Sequence, residues 1–536
     1  MRLDADVAIV GSGFAGSLTA LALRSIGRTV VLVERGRHPR FAIGESSTPL
    51  ANLLLEELAD RYSLPRVRVF SKWGTWQRSR PEVAGGLKRG FTFFFHQPGE
   101  PFGDDREHDR QLMVAASPRD DIGDTHWYRP DFDHNLVREA EAAGAIYLDD
   151  TAIDRVEFDG DRATLDGTRL GQPVHIRTSF IVDASGPRGF LSRALGLDAP
   201  PLRWLPPTQG LYSHFENVTR WDALRPATGT PYPADDAALH HVFPGGWIWM
   251  LRFNNGITSA GAALTDEAAA RVSAADGAAA WDRLLATLPS VGDQFQGARA
   301  VHPWIHSPRL AFRSAQLCGP GWALLPSAAG VIDPLLSTGF PLTLLGIQRL
   351  LAILESGPTE ARLREYERVT LAELDATEML VAALYHSMGD VPVFKRLTLL
   401  YFAAASFSEA ARRLNRPALA PGFLLHAHPA FGPDLHTCCA IALASPQGRA
   451  REELLKMIDQ AIEPFDVAGL LDRSRRDWCP VLAADLVGNA WKLGAAPADV
   501  QGLLERCGFR STMPKVDLDC SHPSTSSAAG PTRNNA

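Results

Sequence analysis

Cysteine is scarce in this chain. Six residues in 536, at Cys318, Cys438, Cys439, Cys479, Cys507 and Cys520, make no disulfide framework and match no zinc spacing. No metal is expected, and a reducing, cytoplasmic compartment is. The adjacent pair Cys438 and Cys439 is expected on a buried segment, as inert packing. Charge of one sign is lacking as well: 54 Lys and Arg against 61 Asp and Glu leave a net charge of -7. That balance gives no basic footprint for nucleic acid. No run reaches the length needed to cross a bilayer, because the most apolar helical stretch, Pro341 to Leu354, is interrupted by Gln348 and Arg349. The opening "MRLDADVAIVGSG" places acidic residues before a short apolar run. It lacks the basic segment and cleavage site of a signal peptide and reads as the start of a fold.

With 45% hydrophobic and 21% charged residues the chain is globular, and its length exceeds one ordinary domain. Strand, glycine turn, helix and strand follow in order as "DVAIV", "GSGFAG", "SLTALALRSIG" and "TVVLVE". This is the opening unit of a doubly wound α/β nucleotide-binding fold. A helix is predicted over Asp131 to Gly144, and strands at "AIYLDD", "AIDRVEF", "RATLDG" and "SFIVDASG". Aromatic alternation in "FTFFFHQ" and "LHHVFPGGWIWMLRF" predicts a second sheet, the latter segment folding at Pro244-Gly245-Gly246. Beyond Pro341 the pattern is helical almost to Gly508, and the polar tail is expected to be disordered.

Gly11, Gly13 and Gly16 form G-x-G-x-x-G around Phe14 and Ala15, after a strand and at the start of a helix. The first glycine permits the tight turn, the second lets backbone approach a pyrophosphate, and the third lets helix pack on strand. Helix N-H groups face the phosphates, and Glu34, eighteen residues after Gly16, is placed to accept from ribose hydroxyls. A single such fingerprint favours FAD over a nicotinamide cofactor. "IVDASG", Ile181 to Gly186, ends a strand in small residues at a plausible cofactor edge.

Four further stretches, "FAIGESSTPL", "LKRGFTFFFH", "HHVFPGGWIWMLRFNN" and "AAGVIDPLLSTGFP", resemble in order and spacing the flavin-dependent halogenases. The resemblance covers the first 350 residues well and the helical remainder loosely. It implies a Rossmann-like FAD domain of the flavin monooxygenase type with an inserted mixed β-sheet substrate domain and a helical C-terminal region. The FAD domain is expected in three parts, 1–86, 131–200 and 301–355. Substrate-sheet segments are expected at 87–130 and 201–300, helices at 356–510 and the disordered tail at 511–536.

The resemblance further implies a two-component enzyme. A separate flavin reductase supplies reduced FAD, and with O2 and chloride or bromide the enzyme generates hypohalous acid. A lysine then carries the halogen to a small electron-rich aromatic, expected to be phenolic, free or carrier-protein-bound. Lys88 is at the matching place, with Lys72 as a rival. Ser337, Thr338 and Gly339 correspond to a halide loop. Asp333, Glu45 and Ser46 correspond to positions beside the flavin, with Gly339 shared between flavin and halide. Where tryptophan halogenases carry an essential glutamate this chain has Leu336, which disfavours a tryptophan-type mechanism. Trp247 and Trp249, two apart on one strand face, correspond to a barrier that keeps organic substrate from the flavin.

Two departures stand out: Leu251-Arg252 where the family has Ile-Pro, and Pro326-Ser327 where related flavin monooxygenases have Gly-Asp. Arg252 faces away from the indoles, either as a structural group or to bind an anionic substrate. His126, His240 and His241 are candidates for acid-base work but are expected to be structural. Competing readings are a flavin monooxygenase or dehydrogenase on the same fold, and a non-enzymatic flavin-binding or carrier-interaction module.

Overall fold

The computed structural model describes residues 1–103, 105–187, 189–197 and 201–509. The expected disordered tail, with Cys520, lies outside the described residues. Two large sheets carry the architecture. In the first, Arg2–Val10 lies between Gln172–Asp183 and Val30–Val33, parallel to both. Ile146–Leu148 and Trp322–Leu324 extend the parallel set at either side. Val30–Val33 is buried throughout, as a parallel strand covered on both faces requires. Thr151–Asp159 and Arg162–Arg169 add an antiparallel hairpin. The predicted helix runs from Arg129 to Ala142.

The second sheet is mixed. Ala238–Phe243 and Gly246–Arg252 pair antiparallel with Phe243 opposite Gly246, so the turn is Pro244-Gly245 and Gly246 already belongs to the strand. Trp247, Trp249 and Leu251 belong to the core shared with the first sheet and its helices, whereas Ile248 and Met250 join a separate core with Trp281 and Leu284. Ala238–Phe243 runs parallel to Gly90–Phe95. Lys88 does not lead directly into that aromatic strand. It ends Gly85–Lys88, which pairs with Asp124–Trp127 in a small ribbon of its own.

The C-terminal region is not wholly helical. Trp478–Cys479 pairs parallel with Gln111–Ala115 at the border of the second sheet. The segment Leu335–Ser356 is also longer and more apolar than expected: an 18-residue window within its 22 residues reaches a mean hydropathy of 1.3, enough by length and composition to cross a membrane. However, 72% of its most apolar window is buried inside the protein. Its polar interruptions are paired: Gln348 donates to Glu57 at 3.1 Å and Arg349 to Glu373 at 2.7 Å. It is a core helix. Glu360–His386 follows it and Val391–Arg413 comes next. Cys438 and Cys439 are buried in the helix Phe431–Leu443.

Candidate active site

The glycine turn separates into two roles. Gly11 has φ +102°, and a Cβ there would lie 2.4 Å from the Ala184 carbonyl oxygen; one at Gly16 would lie 1.9 Å from the Gly11 oxygen. Neither tolerates a side chain, for reasons internal to the fold. A Cβ at Gly13 would meet the side-chain ends of Arg129, Arg40 and Asp133, at 3.4, 3.5 and 3.7 Å. Gly13 therefore stays open towards a ligand, beneath two guanidinium groups. Glu34 accepts from the Ser12 amide at 3.1 Å, the Ser12 hydroxyl at 2.9 Å and the Gly36 amide at 3.0 Å. Burial works against its charge, but Arg40 and these donors hold its pKa below the ordinary value.

From this turn a cavity of about 460 Å³ extends past Phe14, Ala15, Arg40, Glu45 and Ser46, and past Ala184 to Pro187. It ends among Trp247, Trp249, Asp333 and Ser337 to Phe340. Trp247 is 1% exposed and Trp249 6%, with ring centroids 5.8 Å apart. The Trp247 indole N-H donates to the Tyr385 hydroxyl at 3.2 Å, and that hydroxyl donates to Asp333 Oδ2 at 2.9 Å. Burial pushes Asp333 up to about 6, against the Leu335 amide and Tyr385 donors. Leu336 and Ser337 both take left-handed backbone, φ 64° and 54°. Thr338 then opens the helix Gly339–Ser356 with no side-chain cap bond. A Cβ at Gly339 would meet nothing within 4 Å. The unsatisfied N-H groups of that first turn thus face open space beside Ser337.

Lys88 is fully buried. Its Nζ donates to Ser46 Oγ at 2.8 Å and to the Ser47 carbonyl at 2.5 Å, and lies 3.7 Å from the centre of the Phe91 ring. Ser46 lines the large cavity. Phe91 lines a second, apolar cavity of about 150 Å³ with Tyr401, Phe402, Leu482 and Leu504. Lys88 lines neither cavity itself, but its nitrogen lies between a residue of each, Ser46 and Phe91. Burial brings its pKa down to about 7, opposed by the charge of Asp124. Lys72 is half-buried and borders only the second cavity.

The remaining candidates divide. Glu45, buried, accepts from His214 Nε2 at 2.8 Å. Arg252 is structural: its guanidinium pairs with buried Asp235 at 2.7 Å and donates to the carbonyls of Val218 and Thr219. His241 is held between His96 and Gln294. His240 stacks on Phe93 with centroids 4.4 Å apart and borders the large cavity; burial takes it down to about 3. His126 lies in the ribbon beside Lys88. Pro326 and Ser327 also border the large cavity. Sequence reasoning missed Arg40, Arg129, Tyr385 and Asp124. An arginine six residues beyond Glu34 was visible as Arg40, but nothing local marks Tyr385.

The model of the FAD dependent oxidoreductase family matches residues 6–333. The chain is 30% identical over 400 residues to the monodechloroaminopyrrolnitrin halogenase PrnC of Pseudomonas fluorescens, covering 72% of this chain and 68% of that protein. It belongs to the flavin-dependent halogenases. The tetracycline 7-halogenase of Kitasatospora aureofaciens is 29% identical over 432 residues, 76% of this chain and 75% of that one. The halogenase PltM, solved in complex with phloroglucinol and FAD, superposes with a TM-score of 0.78 at 25% identity, over 88% of this chain and 99% of that one. The expected α/β fold with its inserted mixed sheet and helical C-terminal region is the halogenase fold. The enzyme is an FAD-dependent oxidoreductase whose cofactor is FAD. Its own residues fit that group: a cavity starting at open Gly13, and a half-buried Arg40 whose buried Nε has no hydrogen-bond partner among the described residues.

Proposed function

We propose that this halogenase acts on a small, electron-rich, phenolic aromatic held in the apolar cavity, with Lys88 carrying halogen to it from the flavin side. The observation that carries the reading is the position of Lys88, with its Nζ bonded to Ser46 on one side and set against the Phe91 face on the other. Reduced FAD with O2 supplies the oxidising equivalents when bound. Gly11, Gly13 and Gly16 shape the pyrophosphate turn, with Phe14 and Ala15 beside it and Arg40 and Arg129 adding positive charge. Glu34 faces the ribose. Glu45, Ser46, Asp333 and Gly339 border the ring end, and Ser337, Thr338 and Gly339 offer backbone donors to chloride or bromide. Trp247 and Trp249 wall organic substrate from the flavin.

Lys88 holds its nitrogen where charge is costly, so the amine is available neutral near pH 7 and can accept halogen or hold hypohalous acid by a hydrogen bond. Phe91, Tyr401 and Phe402 offer aromatic faces and edges against which a ring packs. One nucleotide fingerprint supports a separate flavin reductase, and five free thiols support a reducing cytoplasm. The interleaved chain order of the two sheets supports the division into three FAD segments and two substrate-sheet segments. The test is mass spectrometry of phenols, free or carrier-tethered, incubated with reduced FAD, O2 and chloride or bromide. Halide-dependent mass gain on phenols and none on their O-methyl or deoxy analogues is the expected result. Equal halogenation of the deoxy analogues overturns the phenolic assignment.

A further inference from the structure

Lys88 and Asp124 stand directly opposite each other in the antiparallel ribbon, so their side chains leave the same face, although they make no direct hydrogen bond: Lys88 Nζ is bonded to Ser46 and Ser47. Both are essentially inaccessible to solvent. Asp124 Oδ1 accepts from Asn52 Nδ2 at 2.8 Å, whereas Oδ2 has no hydrogen-bond partner among the described residues. A buried carboxylate oxygen left without a donor is costly. Neither the flavin cavity nor the apolar cavity includes Asp124 in its lining.

We propose that Asp124 is the positioning residue that decides when Lys88 carries a proton, and so when its nitrogen is free to bond halogen. This rests on the relay reading of Lys88. An ammonium must give up one proton before it reacts, and buried Lys88 has no bulk water to take it. Asp124 as carboxylate takes that proton across one bridging water, bonded at its otherwise unpartnered Oδ2. The neutral amine and hypohalous acid then form an N-halogen bond and release water. Attack of a ring carbon on the halogen breaks that bond, the nitrogen keeps the electron pair, and Asp124 returns the proton to it. The proton displaced from the ring restores Asp124 to its acid form.

The surroundings agree. The charged groups acting on Asp124 are Lys72 ahead of the helix Trp73–Ser79, Glu409 on Val391–Arg413, and Lys88 itself. Those acting with Lys88 include His126 and His240. Burial drives both histidines far below neutrality, so neither holds a proton for the amine. Burial raises Asp124 and lowers Lys88, which draws the proton affinities of the two groups together.

The test uses the full-length protein, with its six lysines labelled at Cε and titrated by NMR, Lys88 being assigned by its loss in Lys88→Met. In Asp124→Asn the Lys88 midpoint should fall by a full pH unit or more, because its counter-charge is gone. Halogenation should drop roughly a hundredfold with the KM of the aromatic unchanged, and the rising limb of the pH profile should move with the NMR midpoint. Asp124→Glu should return that limb towards its original position. Asn52→Ala, which removes the donor to Oδ1, should shift the same limb even if Asp124→Asn folds poorly. An unchanged Lys88 midpoint and pH profile in these variants overturns the proposal. If Lys88→Ala halogenates normally, the relay reading itself fails; if Lys88 is essential but the Asp124 and Asn52 variants leave its titration unmoved, only this inference does.

Discussion

The two cavities on either side of Lys88 are built in opposite ways. The flavin cavity is assembled from turns: the glycine loop, Ile43 to Ser46, Ala184 to Pro187 and Ser337 to Gly339 contribute much of its surface. Its chemistry comes from backbone donors, arginines and small residues. The apolar cavity is assembled from helix faces, mainly Val391–Arg413 and Pro497–Arg506, and closed by side chains. A cofactor that never changes is met by main chain, which substitution alters little. In the proposed reading, a substrate that differs between relatives is met by side chains, which substitution alters freely.

The comparison breaks most completely at Gly13. Gly13→Val should abolish FAD binding by flavin fluorescence titration while circular dichroism stays unchanged, because its new side chain meets the far ends of side chains and no backbone. Retained affinity would mean that the turn does not face the cofactor. Next comes the lysine between the cavities. Lys88→Ala should leave FAD affinity intact and lower halogenated product by about a hundredfold or more, read by mass spectrometry. Normal product in Lys88→Ala and none in Lys72→Ala would move the relay to Lys72.

Trp247 and Trp249 test whether a wall can also be a filter. Replacing both with alanine removes two buried indoles, at about 3 to 5 kcal/mol each, and the melting temperature should fall. The double-Phe variant keeps most of the volume, and should fold while shifting turnover towards hydroxylation or peroxide release. Unaltered product ratio and coupling would reduce the pair to packing. On the other side, Phe402→Leu should raise the KM of the aromatic by about tenfold without touching FAD affinity. An equal loss of both would mean that the cavities are not separate.

The smallest effect is in pH. Lys88 sits near 7 instead of 10.5, so product formation should rise through about pH 7 and level off above it as the amine loses its proton. Because burial depresses this lysine, the unfolded chain binds more protons between about 7 and 10.5, and the Lys88 contribution to stability should rise with pH across that window. A profile flat from 6 to 8 would place the amine outside the rate-limiting step.

The same contrast explains what could be read from sequence. The glycine turn, the strand after it, the paired tryptophans and the Asp-Pro loop are local patterns, each requiring particular residues at fixed offsets. Tyr385 touches Trp247 from 138 positions away, inside a helix whose own periodicity explains a buried aromatic. Arg252 is ambiguous in the sequence because its partner, Asp235, and the Val218 carbonyl lie 17 and 34 positions before it. Asp124 and Lys88 meet only through a ribbon register that alternation does not fix for four-residue strands.

The short strand Trp478–Cys479 gives the C-terminal region a duty unrelated to chemistry. It lies along Gln111–Ala115, whose backbone would otherwise be a bare hydrogen-bonding border of a nine-stranded sheet. Such borders recruit strands from other molecules. Truncating this enzyme before Trp478 to simplify it would expose a template for self-association, and the shortened protein would be lost to aggregates before its activity could be judged.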